Sequence, residues 1–134
     1  MAEYVADTHA LVWHLTNDSR LSPIARAAFT DADNGRGVIW IPGVVLVEIV
    51  YLVEKARLPG SMSAQVLDLV DPPRDNYLIV PLDAGVIRTL QTIDREILPD
   101  MPDRIIAASA KYLGLPLLSK DLAMAGIPGL SVVW

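Results

Sequence analysis

The chain contains no cysteine, which excludes disulfides and thiolate metal sites alike. Histidine is scarce, at two residues, so carboxylates are the abundant side chains able to ligate a cation. No Gly-rich phosphate loop is present, and no second aspartate stands two places after Asp7, where a phosphoaspartate phosphatase would need one. No uncharged stretch reaches the roughly 20 residues that span a bilayer, and the first residues lack a basic start followed by a long apolar run. A cytoplasmic protein without membrane engagement is expected. Positive charge is in short supply, with 11 Lys and Arg against 16 Asp and Glu and a net charge of -5. This argues against general electrostatic capture of nucleic acid, which needs a lysine and arginine footprint. Local capture stays open: if four acids gather around divalent cations, the remaining surface is much nearer neutrality.

What is present is enough apolar material for one core. At 134 residues, a single domain over residues 1–134 is expected to remove roughly two thirds of its unfolded surface from water. Hydrophobic content is 52%, which suits a sheet covered on both faces. Tyr4, Val5 and Ala6 form a short apolar run that ends in Asp7 and Thr8 and passes into the helical pattern Ala10, Leu11, Trp13, His14 and Leu15. Ser22 and Pro23 mark a helix start, with the helix running to about Asp33. The β-branched run Val38 to Ile41, closed by Pro42, reads as the second strand.

From Gly43 the chain is apolar almost all round to Leu58, a helix expected to be buried, with Glu48 as its one interior charge. Ser63 to Val70 is a further helix, and Tyr77 to Val80 the third strand. Asp83 is expected to cap a helix reaching about Glu96. Asp100 caps the next, with Pro102 in its first turn and Gly114 at its end. Leu115 to Leu118 and Leu130 to Trp134 are the last two strands. Strands alternating with helices imply βαβ crossovers and an α/β fold: a three-layer α/β/α domain with a mostly parallel sheet of about five strands.

Ligands in such sheets sit beyond the carboxyl ends of the strands. Asp7 and Asp121 both follow strands, Asp103 lies in the first turn of a helix, and Glu48 can join them if the first and fourth strands are neighbours. At roughly 5 Å and an effective dielectric near 20, each ionised pair repels by about 3 kcal/mol, so the cluster needs cations or takes up protons. Oxygen ligands without cysteine favour Mg²⁺ or Mn²⁺ over zinc. Such ions acidify water and polarise phosphodiesters, which points to hydrolysis of a nucleic-acid backbone.

Four segments in this order, VADTHALVW (5–13), VVLVEIVYL (44–52), PDMPDRIIAASA (99–110) and LLSKD (117–121), resemble the PIN-domain ribonucleases, specifically the VapC-type toxins of type II toxin-antitoxin pairs. The resemblance spans nearly the whole chain. It implies a Mg²⁺- or Mn²⁺-dependent endoribonuclease toxin acting on RNA. It also implies a small VapB-like antitoxin that occludes the active site and meets promoter DNA through its other half, and a homodimer. Asp7, Glu48, Asp103 and Asp121 would be the catalytic and metal-holding acids. Thr8 and Ser119 would support ligands or bound water, and Arg104 matches the arginine after the third acid. Asp100 competes with Asp103 for the inward place, which the pattern favours giving to Asp103. The serine common before Glu48 is missing.

Structural readings stand beside these. Asp7 with Thr8, Asp100, and Ser119 with Asp121 all suit helix caps. Glu48 has no cation one turn away, so its alternative is a salt bridge to a distant arginine. Arg104 is expected to meet RNA or to pair with Asp100 or a neighbouring acid. His9 and His14 invite a general-base or metal role and the tryptophans a base-stacking one, but structural roles are expected for them, and Arg20, Arg26, Lys55 and Arg57 suit either an RNA path or plain solvation. The competing function is a catalytically inactive PIN-like binding or scaffold module.

Overall fold

The strand that the first residues predict is the middle of the sheet. In the computed structural model, which describes residues 1–134, β1 (Ala2–Ala6) lies between β2 (Gly37–Pro42) and β4 (Leu117–Leu118). With β3 (Tyr77–Val80) and β5 (Val132–Val133) at the edges, the order is β3-β2-β1-β4-β5 and every pairing is parallel. Seven helices complete a three-layer α/β/α arrangement: α1 (Thr8–Leu15), α2 (Pro23–Asp33), α3 (Gly43–Glu54), α4 (Met62–Val70), α5 (Ala84–Leu90), α6 (Met101–Leu113) and α7 (Leu122–Ala125). None of them is long and apolar enough to cross a membrane.

Parallel strands explain the two-sided hydrophobicity of Val5, Ala6, Ile39, Ile41, Leu117 and Leu118, all fully buried. Each such aliphatic side chain contributes about 1.5–3 kcal/mol over its exposed state. Against them α6 presents Ala107, Ala108 and Ala110, also fully buried, whose small side chains let the helix backbone come close to the sheet. Gly114 closes α6 at φ 67, the left-handed geometry that a residue without Cβ adopts freely.

The pairing that places the site is β1 with β4, Val5 opposite Leu117 and Ala6 opposite Leu118. The chain leaves β1 for β2 on one side, while β4 sits on the other, so a crevice opens at their carboxyl ends. Both α1 and α6 pack on α3, which carries Glu48 toward that crevice.

Several boundaries differ from expectation. The helix capped by Asp83 stops at Leu90 rather than near Glu96. Beyond it the Thr92 hydroxyl bonds the Thr89 carbonyl and Asp94 accepts from the Glu96 amide, side-chain bonds that compete with helical ones. Strand β4 starts at Leu117 and not Leu115, whose amide is still bound to the Ala110 carbonyl at the end of α6. Strand β5 likewise shrinks to two residues. Helix α3 ends at Glu54 and is not buried all round, since Val47 and Tyr51 are more than half exposed.

Candidate active site

Asp7 is the first residue past β1, and its carboxylate accepts a 2.9 Å bond from the Ala10 amide at the start of α1. The cap and the cavity claim the same side chain: the bond that begins α1 also fixes the carboxylate at the end of the central strand. Asp7 is 7% exposed, and burial holds its pKa above the usual carboxylate value, partly offset by the Ser119 hydroxyl and the Ala10 amide.

Asp121 repeats the device after β4. It caps α7 through the Ala123 amide at 2.9 Å, while its own amide donates to the Ser119 hydroxyl at 3.1 Å. Ser119 is buried, accepts from the Asp121 amide, and by its hydroxyl lowers the pKa of Asp7, so it bears on both aspartates.

Glu48 is compensated by a hydroxyl and not by an arginine. The Thr8 Oγ1 donates to its Oε1 at 2.5 Å, linking the first turn of α1 to the middle of α3. The missing serine before Glu48 is thus made good from another helix. Thr8 is buried, and this bond satisfies its hydroxyl there.

Asp103 and Asp100 divide their roles. Asp100 caps α6 through the Asp103 amide at 3.4 Å and is exposed. Asp103 is half-buried and faces inward, and its carboxyl is pushed up to about 7. Burial is the leading cause, followed by the charges of Asp100, Asp121 and Glu48.

One cavity of about 490 Å³ is lined by Asp7, Thr8, Glu48, Asp103 and Asp121, together with His9, Trp13, Leu52, Ile106 and Lys120. The four acids named from the sequence are therefore brought together, although no three already stand as a ligand set. A set of four carboxylates that drives one of its own acids toward the neutral form fits a hard divalent cation that retains part of its water.

Arg104 is not drawn in. Its Nη2 donates to the Leu90 and Ile93 carbonyls at 3.1 and 3.0 Å, and its Nε is buried without a partner, so of its two expected partners, RNA or an acid, the acid is not met and the side chain clamps the end of α5 to the turn after it. Arg26 is also turned elsewhere, donating to Asn17 and to the Asp18 carbonyl. Lys120 and His9, by contrast, line the cavity without having been singled out as functional. Lys120 was legible from its place between Ser119 and Asp121, and His9 from its place after Thr8.

The fold has solved relatives at low identity. The VapBC2 complex of Rickettsia felis bound to a promoter DNA fragment superposes with a TM-score of 0.71 at 19% identity, over 98% of this chain and 97% of that one. DNA-bound VapBC of Salmonella typhimurium gives 0.72 at 19% identity, over 99% and 98%. A toxin-antitoxin complex of Klebsiella pneumoniae gives 0.66 at 21%, over 100% and 97%. No curated protein sequence matches significantly. The family pattern that does match, from residue 4 to residue 130, is that of the PIN domain, and the chain belongs to that family.

Proposed function

We propose that this chain is a Mg²⁺- or Mn²⁺-dependent endoribonuclease, the toxin of a VapBC-type toxin-antitoxin pair, acting as a single PIN domain over residues 1–134. The observation that carries this reading is the convergence of Asp7, Glu48, Asp103 and Asp121 on one cavity in which Asp103 is displaced to a pKa of about 7 with no cation paired to it.

A divalent ion bound there supplies charge to polarise the phosphodiester and to acidify an attacking water. Asp7 and Asp121, fixed by their caps, and Glu48, fixed by Thr8, would hold it. Asp103, crowded by Asp100, Asp121 and Glu48 while no cation is present, completes the set of acids that would hold it. The solved complexes of similar fold pair a toxin with an antitoxin. A groove of about 330 Å³ beside Glu48, lined by Val44, Val47, Tyr51, Leu52 and Met101, is a fitting seat for an antitoxin tail. Promoter DNA would be met through that antitoxin, and a homodimer accompanies the toxin reading.

The test is cleavage of RNA by the purified chain with Mg²⁺ or Mn²⁺. EDTA, Asp7→Asn and Asp103→Asn are each expected to abolish cutting while the circular dichroism spectrum is retained. Cutting that survives all three sinks the reading. The second reading is an inactive PIN-like scaffold, against which all four acidic positions, Asp7, Glu48, Asp103 and Asp121, are filled. Calorimetry separates the two: Mn²⁺ binding that Asp7→Asn removes supports the nuclease, and no binding supports the scaffold.

A further inference from the structure

A second pocket of about 370 Å³ adjoins the carboxylate cavity, and His9, Trp13 and Leu52 line both. The two differ in charge. The second carries Arg20 and Arg57 and a single acid, Asp18. Asp18 is taken by Arg20, whose Nε and Nη2 donate to it at 3.0 and 2.8 Å while its guanidinium lies 4.8 Å from the centre of the Trp13 ring. Arg57 makes no ion pair. In the carboxylate cavity the Lys120 ammonium stands 5.9 Å from the same Trp13 ring, also free of any carboxylate bond.

Between the acids and the free arginine lies His9. It is exposed, and its ring stacks on Trp13 with centroids 5.4 Å apart and 28° between planes. Trp13 is only 8% exposed and also packs against Trp134, so it is a rigid backing rather than a surface. A flat ring held against such a backing, exposed at the junction of two pockets, is what an unstacked base needs beneath it. A chain of net charge -5 also has to supply positive charge locally for the phosphates that flank its acidic cavity.

We infer that the second pocket is a substrate subsite for the nucleotide adjoining the cleaved phosphodiester in single-stranded RNA, with His9 as the base-stacking platform and Arg57 as the phosphate contact. The inference rests on the ribonuclease reading and deepens it: the substrate is an unpaired segment, because a base inside a duplex cannot reach His9. The role of His9 is its ring face, not its protonation.

The test is fluorescence anisotropy with a short labelled single-stranded oligoribonucleotide, in an Asp103→Asn background so that the probe survives. His9→Ala is expected to weaken binding about 10-fold, as loss of one stacked base does, while His9→Phe restores it. Arg57→Ala is expected to weaken binding about 5-fold and to lower the slope of log Kd against log salt by about 0.7, the share of one single-strand phosphate contact. Arg36→Ala, whose guanidinium faces Asp31 at 3.8 Å away from both pockets, is expected to leave both quantities unchanged. In cleavage by the otherwise wild-type chain, His9→Ala should raise KM and leave kcat nearly unaltered. The inference is overturned if His9→Phe binds as weakly as His9→Ala, if Arg57→Ala alters neither affinity nor salt slope, or if duplex RNA competes as well as single strand. A wild-type chain that cuts RNA while these variants bind normally defeats this inference alone. One that neither binds nor cuts RNA defeats the ribonuclease reading, and this inference with it.

Discussion

The two ends of the sheet treat carboxylates in opposite ways. At the amino end Asp33 accepts a 2.5 Å bond from the Tyr77 hydroxyl and lies 3.1 Å from His14 Nε2, joining α1, α2 and β3. At the carboxyl end Asp103 faces Asp100, Asp121 and Glu48, and its pKa rises to about 7. One end matches its acid to donors; the other gives donors to Asp7, Glu48 and Asp121 but sets Asp103 against its neighbours. An acid that holds a fold together is given partners, whereas an acid crowded by its own kind inside a cavity marks a candidate for function.

The sharpest way to break this comparison is to neutralise one acid from each end. Asp103→Asn is expected to reduce RNA cleavage by at least about 10³-fold, near 4 kcal/mol of transition-state stabilisation, while leaving the metal-free fold as stable as before or more so. Asp33→Ala is expected to do the reverse. It keeps cleavage and costs about 1–3 kcal/mol in urea denaturation, because the hydroxyl of Tyr77, a residue only 2% exposed, loses its partner. Equal effects of the two substitutions on cleavage would remove the distinction.

Next in size is the response to cation. If the carboxyl end is built to be completed by a divalent ion, Mn²⁺ at about 100 times its Kd adds about 2.7 kcal/mol to unfolding, read as a rise in Tm. Asp7→Asn should blunt that rise and Asp33→Ala should not. Tyr77→Phe follows, at about 0.5–1.5 kcal/mol, less than Asp33→Ala because the exposed Asp33 carboxylate turns to water once the hydroxyl is gone.

Much of this contrast was legible in the sequence at one end only. Asp7, Glu48, Asp103 and Asp121 stood out because a charge inside an apolar run, or just past a buried strand, calls for an explanation, and the parallel order of strands brings such positions to one crevice. That three of the caps, at Asp7, Asp100 and Asp121, also aim or crowd the cavity shows that the structural and functional readings were not alternatives. The Asp33–Tyr77–His14 junction was not legible, since nothing in spacing marks residues 44 and 19 positions apart as partners. Nor was the orientation of Arg104, whose acceptors are main-chain carbonyls exposed only because α5 stops early. The exposure of Val47 and Tyr51 escaped for a related reason: an apolar run reports affinity for a covering surface, not whether the chain itself supplies it.

Comparable in size is an effect on the pH dependence of stability, and it isolates Asp103. Its pKa rises from 3.8 to about 7 on folding, so between those values the folded state holds more protons than the unfolded one, and stability falls as pH increases through that window. His14 works against this: burial lowers its pKa, so its contribution improves as pH rises toward 6.5. The informative quantity is therefore the difference between Asp103→Asn and the unsubstituted chain, measured without metal by urea denaturation from pH 4 to pH 8. The variant's advantage should be negligible near pH 4, grow through pH 5 to 7, and level off above. After allowance for the water that reaches a half-buried carboxyl, it should settle at on the order of 1–2 kcal/mol. Excess Mn²⁺ should reverse it, since only the unsubstituted chain keeps the full set of acids to be neutralised. A flat difference in metal-free buffer would mean that Asp103 is not burdened by its neighbours, and the contrast between the two ends of the sheet would be lost.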